Sequence, residues 1–375
     1  MAFNLWRRLR RFFCTPCGML NFVYVLATSS VLLLMHLMYI NNNLKSLVPI
    51  VKTVNTDIKR VLYFQTSNLA TKAPTHSINI VKTDWISAQN RTLVSKRPDV
   101  CDSCFPHHYT YILDNEEICS VGADKRDVKV IVLISTTHVN TARRKALRET
   151  WLTHTRSNTG DVRYAFLLGA TSNNADQVAL ETESATYRDI IQEDFVDSYN
   201  NLTLKTMMAF KWASLKCKVA KFFMKTDDDM FVNLNSLKDA VTKYSSVLEK
   251  GIGGYCNLSR EPIRSKTEKW SVTYEMYPNK LYPPYCSGTG YVTSMDVVEK
   301  VYKVSKDVPF IYLEDVYVSL CLNRLGLNAT HLPGFHAALQ KIGCEYQSKK
   351  LVTSHRLTPK MLHEAWNLKN CSKKA

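Results

Sequence analysis

The chain has no zinc-finger spacing, no helix-turn-helix pattern and no arginine-rich tract, although Lys and Arg outnumber Asp and Glu by 49 to 33 and leave a formal charge of +16. Its basic residues are spread over all 375 positions. A basic surplus without a recognition element argues against nucleic acid and suits a membrane surface or an anionic substrate. No internal repeat or low-complexity tract appears, which excludes a solenoid. Past the N-terminal forty residues only one C-x-x-C occurs, at Cys101 and Cys104. No second such pair completes a zinc set, and no thioredoxin-like unit surrounds the first.

Charge is also missing from residues 19–40, MLNFVYVLATSSVLLLMHLMYI, which hold no Lys, Arg, Asp or Glu. At about 1.5 Å per residue, such a helix crosses a hydrocarbon layer of about 30 Å. Arg7, Arg8, Arg10 and Arg11 precede the run, whereas only Lys45 and Lys52 follow in the next stretch. The positive-inside rule therefore predicts a cytoplasmic tail at 1–18, a signal anchor at 19–40 and a lumenal remainder. A cleaved signal peptide is the alternative, but the run is too long and no small-x-small site closes it. Five N-x-[ST] sequons lie beyond it, at Asn90, Asn201, Asn257, Asn328 and Asn370. Nine cysteines also lie beyond it. An oxidising lumen pairs most of them, leaving one over; Cys217, Cys286, Cys321 and Cys344 are expected in structural disulfides. Cys14 and Cys17, on the cytoplasmic flank, are candidates for palmitoylation.

Residues 41–125 read as a stem rich in Asn, Thr, Ser and Lys, whose second half could pack onto the body. From 126 to 375 the texture is that of a catalytic domain. DVKVIVLIST (127–136) and VRYAFLLGA (162–170) are continuous apolar strands of the kind buried on both faces of a parallel sheet. Helical patterns at 140–154, 174–189 and 201–216 alternate with strands at 190–195 and 220–226. This is an α/β layered fold with a mostly parallel central sheet flanked by helices, and ligand groups belong at the carboxyl ends of its strands. Beyond about 245, prolines and tyrosines suggest irregular, acceptor-facing structure.

The most telling stretch is FMKTDDDMFVN (223–233), a buried strand that runs into Asp227, Asp228 and Asp229. Adjacent carboxylates after an apolar strand are costly unless a cation or basic partner neutralises them. Hard divalent cations with oxygen ligands do this and commonly hold a phosphate-bearing substrate. A solvated acidic turn is the bland alternative.

Taken in order, RRKALRETW (143–151), EDFVDSYNNLTLKT (193–206), KTDDDMFVN (225–233), YPPYCSGTGYVTS (282–294) and EDVYVSLCL (314–322) closely resemble the β-1,3-galactosyltransferase family. This is inverting glycosyltransferase family 31, which also holds β-1,3-N-acetylglucosaminyltransferases and, more distantly, the Fringe enzymes. The resemblance covers roughly residues 128–365. It implies a GT-A type nucleotide-sugar glycosyltransferase fold, a UDP-sugar donor, manganese (Mn2+), inversion at the anomeric carbon and a type II Golgi membrane protein. A glycan on a glycolipid or glycoprotein is the implied acceptor, and a homo- or hetero-oligomer is compatible with it.

By this resemblance Asp229 is a direct metal ligand, His355 in LVTSHRLTP is a second, and Asp315 is the catalytic base. Asp227 and Asp228 support the metal and the donor, and Arg144, Arg148 and Lys225 match basic donor-site positions. Ser319 departs from the family, which often has Gly there. The residues alone leave plainer alternatives open. Asp315 could cap a helix, His355 could lie on the surface, Arg144 and Arg148 could form a solvated face, and Gly288 and Gly290 could be turn glycines. Trp270 and the tyrosines from Tyr274 to Tyr291 could be core or a sugar-binding groove.

The chemistry requires one cation-binding carboxylate cluster for the diphosphate leaving group and one separate carboxylate to take the acceptor's proton. Both are present. The reading is therefore a Golgi β-1,3-galactosyltransferase using UDP-galactose. UDP-N-acetylglucosamine is the close alternative donor. An inactive lumenal sugar-binding protein and a metal-dependent nucleotide hydrolase are readings from other classes.

Overall fold

The computed structural model describes residues 97–120, 127–257, 260–369 and 371. The expectations for the anchor at 19–40, for Cys14 and Cys17, for the first part of the stem, and for Asn90 and Asn370 lie outside these residues. Among the described residues, no helix is long and apolar enough to cross a membrane.

The chain runs β1 (Tyr111–Leu113), β2 (Val130–Ser135), α1 (Thr141–Glu149), β3 (Val162–Ala170), α2 (Asn174–Tyr187) and β4 (Ile190–Val196). It continues with α3 (Leu202–Lys216), β5 (Phe222–Asp227), β6 (Phe231–Val232), α4 (Leu234–Lys243), β7 (Gly251–Asn257) and β8 (Tyr285–Ser294). The last elements are α5 (Met295–Ser305), α6 (Glu314–Arg324), β9 (Asn328–His331), β10 (Thr353–Ser354) and α7 (Pro359–Trp366). Eight strands form one sheet in the order β1-β4-β3-β2-β5-β8-β7-β9.

The middle of that sheet, β4-β3-β2-β5, is parallel throughout. On the flanks β1 runs antiparallel to β4, β8 runs antiparallel to both β5 and β7, and β9 runs parallel to β7. The sheet is therefore mixed, with four of its seven pairings parallel. The apolar runs at 127–136, 162–170 and 220–226 reveal only strands of the parallel centre. β7 (GIGGYCN) and β8 (YCSGTGYVTS) carry glycine where strands usually carry bulk, so they do not read as strands. The glycines are needed for close approach: a Cβ on Gly254 would meet the Gly290 carbonyl oxygen at 2.8 Å.

Alternation along β2 supplies both cores. Ile131 and Leu133 join Phe210, Phe223, Tyr291 and Tyr317 under α3, α5 and α6. Val130, Val132 and Ile134 join Trp151, Phe166, Met224 and Phe231 on the other face. With both faces covered, only the strand ends remain for polar chemistry. Helix starts are fixed by side chains: Asn173, Asn233, Ser294 and Thr358 accept backbone N–H groups at the starts of α2, α4, α5 and α7.

Residues 97–120, part of the segment read above as stem, are built into this body. β1 pairs with β4, and the Trp212 indole N–H of α3 donates to Asp114 at 2.9 Å. Cys119 bonds to Cys217 at the carboxyl end of α3. The other disulfides are Cys101–Cys104, Cys256–Cys286 and Cys344–Cys371. Cys321, expected in a disulfide, is instead free and buried on α6.

The Cys119–Cys217 bond spans 98 residues, against 3 for Cys101–Cys104. Cross-links over long loops restrict the unfolded chain more. Replacing Cys119 and Cys217 by Ala is expected to destabilise the protein by about 2–5 kcal/mol in urea unfolding. Replacing Cys101 and Cys104 should cost less, and the reverse order would refute this ranking.

Candidate active site

β5 ends at Asp227, and the chain turns through Asp228 and Asp229 into β6. Like charges in sequence are tolerated because each carboxylate finds a different partner. Asp228 accepts hydrogen bonds from the Thr136 hydroxyl at 2.6 Å and the Asn140 amide at 2.8 Å, tying the acidic turn to the loop after β2. Burial pushes the Asp228 carboxyl up, against those two bonds and the nearby Arg143. Asp227 accepts from the Lys225 ammonium at 2.8 Å.

Asp229 faces His355, with Nε2 and Oδ1 3.4 Å apart, and Arg143, with Nη1 and Oδ2 3.8 Å apart. Burial alone would raise the Asp229 carboxyl. The bond and charge of His355, with Arg143 behind them, outweigh it and hold the group below its ordinary range. His355 shows the converse: burial opposes its charge, but Asp229 raises it above the ordinary imidazole range. Its other ring nitrogen, Nδ1, lies 3.1 Å from the Ala337 carbonyl. That bond turns Nε2 toward Asp229.

His355 reaches this position through the C-terminal segment. β10 pairs with β6, setting Ser354 opposite Phe231, and the Leu357 N–H donates to the Asp229 carbonyl at 2.9 Å. Some 125 residues of chain thus separate two side chains that the small sheet brings together.

Among the described residues no group of three or more His, Cys, Asp or Glu side chains could hold a metal ion. A two-ligand arrangement still fits the chemistry. Hard octahedral cations take one or two protein ligands and fill the remainder with water and substrate phosphates. Asp229 supplies a carboxylate and His355 an oriented imidazole nitrogen, and both line one cavity of about 540 Å³ with Lys225, Asp227 and Asp315. That volume falls within the range of small-molecule sites. Tyr199, Trp270, Tyr285 and Tyr312 line the same cavity. Trp270 is 50% exposed, so it is not a core residue.

Asp315 is the second residue of α6; Leu313 occupies the N-cap position and no side chain caps the helix. The Asp315 carboxylate accepts the Val316 N–H at 2.9 Å and the Gly288 N–H at 3.3 Å. Burial pushes its proton affinity up, and those N–H groups resist. Beside it, Glu314 accepts from Lys225 at 2.9 Å and from the Thr206 hydroxyl at 3.1 Å. Burial raises the Glu314 carboxyl too, since the Lys225 charge is shared with Asp227 and the Gly288 carbonyl. Lys225 itself is held well above the ordinary lysine range, its two carboxylates outweighing burial. Gly288 is more than a turn glycine: a Cβ there would sit 2.0 Å from Glu314 Oε1.

Arg144 and Arg148 are not brought to this cavity. Arg144, 1% exposed, forms a two-pronged pair with Glu183 at 2.8 and 2.6 Å and donates to the Thr137 carbonyl at 2.6 Å. Arg148 grips Asp189 through two bonds of 2.8 Å and stacks on Tyr187. Their neighbour Arg143, which helical spacing did not single out, faces Asp228 and Asp229 instead. Glu314 was also missed, although it adjoins Asp315. Of the sequons, Asn328 is exposed at the start of β9 and Asn201 sits before α3, its amide donating to the Val196 carbonyl at 2.8 Å. Asn257 is the last residue of β7.

A family model described as Galactosyltransferase matches residues 142–333. Mouse beta-1,3-galactosyltransferase 1 is 38% identical over 264 residues, covering 70% of this chain and 79% of that protein. Human beta-1,3-galactosyltransferase 5 is 40% identical over 241 residues, covering 63% and 77%. Among solved structures, the galactosyltransferase LgtC bound to donor and acceptor sugar analogs aligns with 65% of this chain and 98% of its own, at 12% identity and a TM-score of 0.33.

The arginines of α1 should separate by assay. Arg148→Met leaves Asp189 buried without its cation and is expected to destabilise by about 3–5 kcal/mol in urea. Arg143→Gln should change stability by less than about 1 kcal/mol and instead weaken UDP binding. Equal destabilisation by both would contradict the division.

Proposed function

Because the chain belongs to the galactosyltransferase family, we propose that it is a β-1,3-galactosyltransferase, moving galactose from UDP-galactose to a hydroxyl of a glycan acceptor with inversion. The observation that carries this reading is the sharing of one cavity by two separate carboxylates, Asp229 beside His355 and Asp315 beside Gly288. A GT-A type arrangement accords with the parallel centre of the sheet and with ligand groups at its carboxyl edge. Asp229 and His355 are the residues that would hold a divalent cation, manganese in this proposal; such an ion neutralises charge developing on a diphosphate leaving group.

Asp315 takes the proton of the acceptor hydroxyl as that oxygen bonds to the anomeric carbon and the bond to the diphosphate oxygen breaks. Its raised proton affinity favours that role. The Gly288 and Val316 N–H groups fix its orientation. Lys225 is enclosed by Asp227, Glu314 and the Gly288 carbonyl, so its part is to position the acidic turn against α6. Trp270 and the tyrosines offer flat apolar faces of the kind that sugar rings stack on. The charge-free run at 19–40 supports placement as a type II Golgi membrane protein with this domain in the lumen.

Transfer assays of the full chain with UDP-galactose and with UDP-N-acetylglucosamine, over a panel of glycan acceptors, test the reading. Galactose transfer supports it. Preference for the second donor favours the N-acetylglucosaminyl alternative, and UDP binding without transfer to any acceptor favours a sugar-binding protein. Asp315→Asn is expected to keep UDP–manganese affinity within about twofold and to lower turnover by about two to four orders of magnitude. Asn accepts one of the two N–H bonds, so stability should fall by no more than about 1 kcal/mol. An Asn variant of near-normal turnover would remove Asp315 from the chemistry.

A further inference from the structure

Three basic residues that line the cavity, Arg260, Lys269 and Arg356, are assigned no part above, and Arg356 alone of them adjoins His355 in sequence. Arg356 lines the cavity, is exposed, and makes no hydrogen bond or ion pair among the described residues. Arg144, Arg148 and Lys225, by contrast, are each enclosed by carboxylates. The backbone at Arg356 is left-handed, with φ of 65°. That conformation is unfavourable for an arginine and persists only when its surroundings impose it.

They do so from both sides. Before it, Ser354 is paired to Phe231 and the His355 ring is held between the Ala337 carbonyl and Asp229. After it, the Leu357 N–H donates to the Asp229 carbonyl and the Leu357 side chain is fully buried. The segment is thus stitched on either side of Arg356, which lines the same cavity as Asp229 and His355.

We propose that Arg356 binds the β-phosphate of the donor's nucleoside diphosphate and takes up charge on it as the sugar leaves. The inference rests on the donor reading above. A cation held by Asp229 and His355 and a guanidinium one residue along the chain together suit an anion with several charged oxygens, which a diphosphate offers along its length. A guanidinium suits this task because its planar fork donates two parallel bonds to phosphate oxygens.

The test is calorimetric binding of UDP and of UMP, with manganese, to the full chain and to Arg356→Asn and Arg356→Lys. Asn tolerates the left-handed backbone, so it removes the charge without adding strain. Arg356→Asn is expected to weaken UDP binding about tenfold and UMP binding by less than about twofold, with Tm within about 2 °C of wild type. Arg356→Lys should fall between. Unchanged UDP affinity in the Asn variant, or equal loss for UDP and UMP, overturns the assignment while leaving the donor reading intact. A wild-type chain that binds neither nucleotide overturns both.

Discussion

The Lys225 ammonium is the pivot of this molecule. It is 2% exposed and touches Asp227 at 2.8 Å, Glu314 at 2.9 Å and the Gly288 carbonyl at 2.6 Å. Those partners belong to β5, α6 and β8, so one cation fastens three segments. Burying an ammonium costs several kcal/mol unless its protons are all met by acceptors, and here three acceptors meet them. The cavity would otherwise gather Asp227, Asp229, Glu314 and Asp315 with only partial compensation. Glycine at 288 belongs to the same constraint, since any side chain there would displace Glu314.

Compensation elsewhere follows a different rule. Glu183 and Asp189 bind Arg144 and Arg148 beneath α1, away from the cavity, and this fixes which face of the helix turns inward. Arg143 is thereby left toward the acidic turn. The C-terminal segment completes the cavity by backbone pairing rather than by charge. β10 on β6 and Leu357 on Asp229 set the position of His355 without any contribution from its side chain. The C-terminal segment after β9 is therefore part of the site, not an appendage.

The centre of the fold was legible because its strands are apolar on both faces. VRYAFLLGA was expected as a strand over 162–170 and is β3 over those residues. The acidic turn at the end of β5 and the strong helix before it were legible for the same reason. β7, β8 and β9 were not, because glycine and polar residues carry no period there. Their identity as strands comes from pairing partners remote in sequence. The arginines show a second limit. Helical spacing groups Arg144 with Arg148 correctly, yet it cannot say whether that face meets carboxylates from α2 and the turn before β4 or the ligand. Cys321 shows a third: an odd cysteine count requires one free thiol, but only packing says which.

Two adjacent carboxylates, Glu314 and Asp315, begin α6 and are set to different tasks by one neighbour. Both gain proton affinity from burial, and both sit at a helix start, where negative charge is favoured. Lys225 bonds Glu314 directly and reaches Asp315 only through space. Glu314 is thus committed to holding the acidic turn against α6, with Thr206 as its second donor. Asp315 keeps two backbone N–H bonds, which orient it but carry no full charge. The same lysine that assembles the cavity therefore engages one of two neighbouring carboxylates and leaves the other to backbone N–H groups.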